Sequence, residues 1–141
     1  MIIRKADIND INIIYGFIAD LEERTLDAVA FASIYQHNLE NPDVFYLVAE
    51  LDNQLVGFIS MHIQYLLHHS AKVAEIAELF VVPSCRGQHI GKQLFDNAVE
   101  LAKKQDCVSL EVASSQKRTR AHAFYRKQGM QNSHLTFTIS I

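Results

Sequence analysis

Glycine and proline are scarce, five and two residues in a chain of 141, while 49% of residues are hydrophobic and 21% charged. That balance excludes a collagen-like rod, a low-complexity linker and a disordered tail. Cysteine is equally sparse. Cys85 and Cys107 are too few for a dense disulfide framework and form no repeated C-x-x-C metal pattern, so a reducing compartment is expected. No apolar run approaches the roughly 18 residues that span a bilayer. The N-terminal MIIRKADINDINIIYGF also lacks the uninterrupted apolar stretch of a signal peptide. Positive charge is not in excess: 13 Lys and Arg stand against 16 Asp and Glu, a formal net charge of −3 with the seven histidines neutral. No whole-domain basic field therefore draws the chain to nucleic acid. The expectation is a soluble, cytoplasmic protein of one domain with a real core, partnered by neither nucleic acid nor membrane.

Periodicity supplies the elements. Ile2 to Lys5 reads as a short strand, and Asp7 is placed to cap a helix whose apolar residues Ile11, Ile14, Tyr15 and Ile18 recur at helical spacing. A second helix is expected over Leu26 to Asn38, after a polar connection from Asp20 to Thr25. Asn41-Pro42-Asp43 is turn-like, and Val44 to Glu50 with Gln54 to Ile63 reads as an antiparallel hairpin around Asp52-Asn53. Val73 to Val82 is a strand stopped by Pro83. Ile90, Leu94, Ala98, Leu101 and Ala102 form one face of a helix ending near Lys103 and Lys104. Val108 to Val112 follows as a strand and Thr119 to Lys127 as a helix closed by Gly129. Leu135 to Ile139 is the last expected strand, because apolar and polar residues alternate there. The order predicts an α/β fold with a single mixed sheet.

The stretch from Leu79 through Val82-Pro83-Ser84-Cys85-Arg86-Gly87-Gln88-His89-Ile90-Gly91-Lys92 is a buried strand, a sharp turn and a helix start with two glycines and two basic residues. Free N–H groups at a helix N-terminus favour an anion, and small residues permit its close approach. The spacing matches neither G-x-x-x-x-G-K-[ST] nor G-x-G-x-x-G, which disfavours a nucleoside-triphosphate enzyme and a dinucleotide dehydrogenase.

This run from Glu78 to Lys92, with Ala121-His122-Ala123-Phe124-Tyr125-Arg126-Lys127-Gln128-Gly129-Met130, resembles the acyl-coenzyme A binding core of the GCN5-related N-acetyltransferase (GNAT) superfamily. Arg86 and Gly91 match the two ends of the family's turn pattern, and His89 stands where the family has its middle glycine. The resemblance implies one N-acetyltransferase domain over residues 1–141, an α/β fold whose mixed, mostly antiparallel sheet is flanked by helices, with acetyl-CoA as cosubstrate. It implies that the backbone of Leu79, Phe80 and Val81 pairs with the pantetheine arm, that a Val81 N–H polarises the thioester carbonyl, and that Arg86 and Gly87, Gln88, His89, Ile90, Gly91 and Lys92 form the pyrophosphate turn. Tyr125 matches the family's general-acid position. Arg118 occupies the place of an Asn that touches coenzyme A in many relatives.

Acetyl transfer to an amine needs a neutral amine, stabilisation of a developing oxyanion and an acid for the departing thiolate. Glu75-Ile76-Ala77-Glu78 puts two carboxylates near the reactive strand. A regular strand would place residues three apart on opposite faces, so one of them is expected at the acetyl site. Glu78 is the preferred base; Glu75 is the alternative base or amine anchor. His62, His68 and His69 bracket the hairpin exit, and their H-x-x-x-x-x-H-H spacing is not a specific zinc pattern. Neither cysteine has a His arrangement suited to a covalent acyl intermediate, so direct transfer in a ternary complex is expected.

Met61 to His69, Glu75 to Leu79, Lys117-Arg118, His122, Phe124-Tyr125 and Gln131-Asn132-Ser133-His134 are together similar to bacterial aminoalkylphosphonate N-acetyltransferases. That resemblance implies a small phosphonate-bearing amine, with His68, His69, Arg118 and His134 receiving the anion, divalent-metal assistance with no assignable ligands, and a homodimer. The alternatives are acetylation of a polyamine, an aminoglycoside or a protein N-terminus, and a non-catalytic sensor that binds acetyl-CoA.

Overall fold

Five strands lie in one sheet in chain order: β1 (Ile2–Lys5), β2 (Val44–Leu51), β3 (Gln54–Leu66), β4 (Ala71–Val81) and β5 (Ser109–Val112). A computed structural model describes residues 1–141. The first three pairings are antiparallel, and the architecture is the expected α/β one, a mixed, mostly antiparallel sheet with helices packed on it. The chain divides into two compact units, Met1–Glu111 and Val112–Ile141.

In the first unit, α1 (Ile11–Glu22) and α2 (Ala28–Leu39) cover one face of the sheet. Ile14, Phe17 and Tyr35 pack there with Val48, Phe58 and Phe80 as one buried cluster. Pleating turns Gly57 to the opposite face from Phe58. There α3 (Ile90–Lys104) comes so close that a Cβ at Gly57 would lie 2.9 Å from Leu94 Cδ1 and 3.2 Å from the Phe80 carbonyl oxygen. Gly57 thus permits the close approach that seats the start of α3 against β3. On the edge strand β1, Arg4 grips the buried Asp10 through two bonds, at 2.8 and 3.0 Å, and also reaches Glu50 at 3.0 Å.

Several boundaries differ from the sequence reading. Asp7 caps a 3-10 turn, Ile8–Asp10, that precedes α1, accepting from the Asn9 N–H at 2.8 Å. Helix α2 begins at Ala28 rather than Leu26, because Asp27 accepts from the Ala30 N–H at 2.9 Å and so fixes the N-cap. Strand β3 runs on to Leu66, since its ladder with β4 continues to the Leu66–Ala71 pair.

The second unit holds α4 (Thr119–Lys127), which Gly129 closes with a positive φ of 91°. The strand expected over Leu135 to Ile139 does not form. No strand pairs with it, and Leu135, Phe137 and Ile139 are 77%, 88% and 85% exposed; alternation without a ladder partner leaves the backbone groups to water. No helix is long and apolar enough to cross a membrane.

Candidate active site

The chemistry of the first unit gathers where β2, β3 and β4 lie side by side. Tyr46, Ser60 and Glu78 are direct cross-strand partners, and Val44, His62 and Glu75 form the row beside them. Partners in a ladder share a face, so all six side chains point to the face that α1 and α2 cover. The two carboxylates are therefore on the same face, contrary to the regular-strand expectation. The register slips between Ser60 and Met61, skipping Ala77 on β4, and this extra residue turns a spacing of three into a spacing of two.

Ser60 is completely buried, and its hydroxyl donates to Glu78 Oε1. The same oxygen accepts the Glu78 N–H at 3.0 Å, so one hydroxyl fixes both the backbone and the carboxylate of Glu78 at the bulge. Glu75 is engaged differently, accepting from Gln64 Nε2 at 3.0 Å.

Above Glu78 lies a cavity of about 300 Å³ lined by residues of α1, α2 and the sheet, among them Asn38, Tyr46, His62 and Glu78. Asn38 Nδ2 donates to the Tyr46 hydroxyl at 2.6 Å. Burial pushes the Tyr46 phenol up, the Asn38 bond draws it back, and the Glu78 charge pushes it up again, so Tyr46 stays neutral beside the carboxylate. A hollow of about 420 Å³ at the C-terminal end of α2 is larger, but Ser60, His62 and Glu78 are absent from its walls. The smaller cavity is the one that holds both His62 and Glu78.

The turn after β4 has the backbone that an anion cradle needs. Gly87 has a φ of +80° with open space where a Cβ would project, and His89 precedes α3 at a φ of +64° without a side-chain cap. His89 thus adopts the left-handed geometry that a glycine at its position would take freely, and the first N–H groups of α3 have no capping side chain. Arg86 folds back, its Nε donating to the Val81 carbonyl at 2.9 Å with the guanidinium 5.6 Å from the Phe80 ring centroid. Lys92 pairs with Asp96 at 2.6 Å. Strand β5 has only four residues against eleven in β4, so much of β4 has no strand beside it on that edge.

His68 and His69 sit in a 3-10 turn after β3, both exposed, with ring centroids 4.2 Å apart. His62, not singled out for the substrate set, is the one that lines the cavity. No three His, Cys, Asp or Glu side chains come together as a metal site.

In the second unit Arg118 immediately precedes α4, and Tyr125 lies two turns along it. Burial pushes the Tyr125 phenol up and the Arg118 charge opposes the shift. His122 Nε2 meets the Ser115 carbonyl at 2.8 Å, while the exposed His134 bonds its neighbour Ser133 at 2.9 Å.

Sequence reasoning missed Ser60, Asn38 and Tyr46. Ser60 had a signal, a lone small polar residue between Ile59 and Met61 in an apolar strand. Asn38 and Tyr46 had none, since their pairing depends on where α2 crosses β2.

Comparison with known proteins accords with this geometry. Residues 12–130 match the acetyltransferase (GNAT) family. The aminoalkylphosphonate N-acetyltransferase of Salmonella typhimurium is 39% identical over 136 residues, covering 96% of this chain and 88% of that one. Among solved structures, a Bacillus halodurans protein described as a transcriptional regulator superposes with a TM-score of 0.91 at 23% identity over 99% of each chain. The aminoglycoside 6'-N-acetyltransferase of Acinetobacter haemolyticus gives 0.85 at 17% identity, covering 100% of this chain and 98% of that one. These two likenesses show the fold. The family match and the Salmonella relative show more: the chain belongs to the GNAT acetyltransferases and is an acetyl-CoA-dependent N-acetyltransferase.

Proposed function

We propose that the chain acetylates the primary amine of a small aminoalkylphosphonate by direct transfer in a ternary complex. The observation that carries this reading is the 39% identity to the Salmonella enzyme along 96% of the chain. Acetyl-CoA supplies a thioester whose acyl C–S bond breaks as the C–N bond forms. Glu78, held by Ser60 and facing the cavity, attracts the ammonium and takes its proton, directly or through a water. Glu75 anchors the amine from the neighbouring row. Tyr125, kept protonated by burial, donates to the departing thiolate.

The remaining roles follow the resemblance. The uncapped start of α3 and the turn Arg86 to Lys92 receive the pyrophosphate. The backbone of Leu79, Phe80 and Val81, on the β4 edge with little strand beside it, pairs with the pantetheine arm. His68, His69, Arg118 and His134 are the candidates for the phosphonate. A homodimer completes the reading, with the exposed apolar residues from Leu135 to Ile141 at its interface.

The test is coenzyme A release across aminomethylphosphonate, 1-aminoethylphosphonate, spermidine, an aminoglycoside and an N-terminal peptide, each with and without a divalent cation. Saturable turnover confined to the phosphonates supports the reading. Turnover of another amine overturns the substrate, and cofactor binding without any turnover favours a sensor.

A further inference from the structure

We infer that the acceptor carries an apolar branch, alkyl or aryl, on the carbon that bears its amine, and that this branch lies between α1 and α2. The inference rests on the amine acetylation proposed above and narrows its substrate.

The cavity over Glu78 has two unlike ends. Polar groups are confined to Asn38, Tyr46, His62 and Glu78. The rest of the wall is Ile14 and Ile18 from α1, Phe31, Ile34 and Tyr35 from α2, and Phe58 from β3. Tyr35 belongs with the apolar residues, because its hydroxyl is spent on the Asp7 carbonyl at 2.6 Å and only its ring faces the cavity. Ile34 lines the cavity and is still 60% exposed, so this wall presents apolar surface to water.

Charge decides the orientation. Glu78 complements an ammonium, whereas no Lys or Arg lines the cavity. A phosphonate pushed between the helices would lose its hydration with no cation to replace it. An apolar branch there removes the Ile34 and Phe31 surface from water at no such cost. The amine thus meets Glu78, the branch enters between the helices, and the anionic group remains on the His62 side, where the only basic side chain of the lining stands. The volume of about 300 Å³ admits a leucine- or phenylalanine-sized group.

The experiment compares kcat/KM along 1-aminoalkylphosphonates whose branch is hydrogen, methyl, isobutyl or benzyl, beside the matching amines without the phosphonate. The expected result is a rise of at least tenfold from hydrogen to isobutyl or benzyl, about the effect of burying a side chain of that size. Ile34→Ala is expected to cut that rise several-fold, whereas Val29→Ala, on the 83% exposed part of the same helix and outside the cavity, leaves it intact. A flat or falling series in both sets, or no turnover in either, overturns the inference. A rise with branch size in the plain amines alone sustains the inference while contradicting the phosphonate reading.

Discussion

The buried hydroxyl of Ser60 holds Glu78 twice, donating to its carboxylate and accepting its N–H at 3.0 Å across the β3–β4 pair. Ser60→Ala removes the clamp and leaves the cavity walls in place. The expected outcome is a lower kcat with little change in KM for the amine, since the carboxylate survives but is no longer held. An accompanying loss of stability of about 1–3 kcal/mol is expected from the unpaired groups. Glu78→Gln should lower kcat by roughly 10²–10⁴-fold. Ser60→Ala added to Glu78→Gln should then cost little more, because both act on one proton transfer. Steady-state kinetics on the four proteins check this, and additive losses would separate Ser60 from the base.

Tyr125→Phe keeps the ring and deletes the proton. Turnover should fall by about 10²-fold with acetyl-CoA binding retained. Burial raises the phenol above its ordinary range, so the wild-type rate should show no alkaline limb from this group below about pH 10. Equal turnover in the Phe variant would remove Tyr125 from the chemistry.

His89 holds a left-handed backbone, φ +64°, that costs a side-chain-bearing residue about 1–2 kcal/mol. His89→Gly should therefore raise the melting temperature or leave it unchanged, and preserve acetyl-CoA affinity if the backbone forms the cradle. Gly87→Ala, at φ +80°, should do the reverse on both counts. Thermal unfolding and cofactor titration distinguish the two.

The Arg4–Asp10 pair makes a pH prediction. The hydrogen bonds from Arg4 outweigh burial and hold the Asp10 carboxyl below the ordinary carboxylate range. A carboxyl lowered in the folded state binds fewer protons there than when unfolded, so its stabilisation is present above the ordinary range and lost as pH falls through the lowered value. Asp10→Asn should destabilise by roughly 2–3 kcal/mol at neutral pH and flatten the acid limb of stability, which denaturant midpoints across pH 2–7 would reveal.

Much of the frame was legible because periodicity and punctuation are local. The hairpin around Asp52-Asn53, α3 with its apolar face and α4 closed by Gly129 all appear near their expected bounds. The bulge at Ala77 was not legible, since it exists only in the register between two strands, and without it Glu75 and Glu78 fall on opposite faces. The Leu135 to Ile139 strand failed for a related reason. Alternation describes a segment able to pair, and only the fold decides whether a partner edge is there. The cavity was hidden most completely: its apolar wall comes from helix faces indistinguishable in sequence from ordinary core.

Coenzyme A release from acetyl-CoA with 1-aminoethylphosphonate, wild type beside Glu78→Gln, tests the central claim most directly. Saturable release by the wild type, reduced at least a hundredfold in the variant with its fold intact, is the predicted result. No release with this amine, or equal release by both proteins, would contradict it.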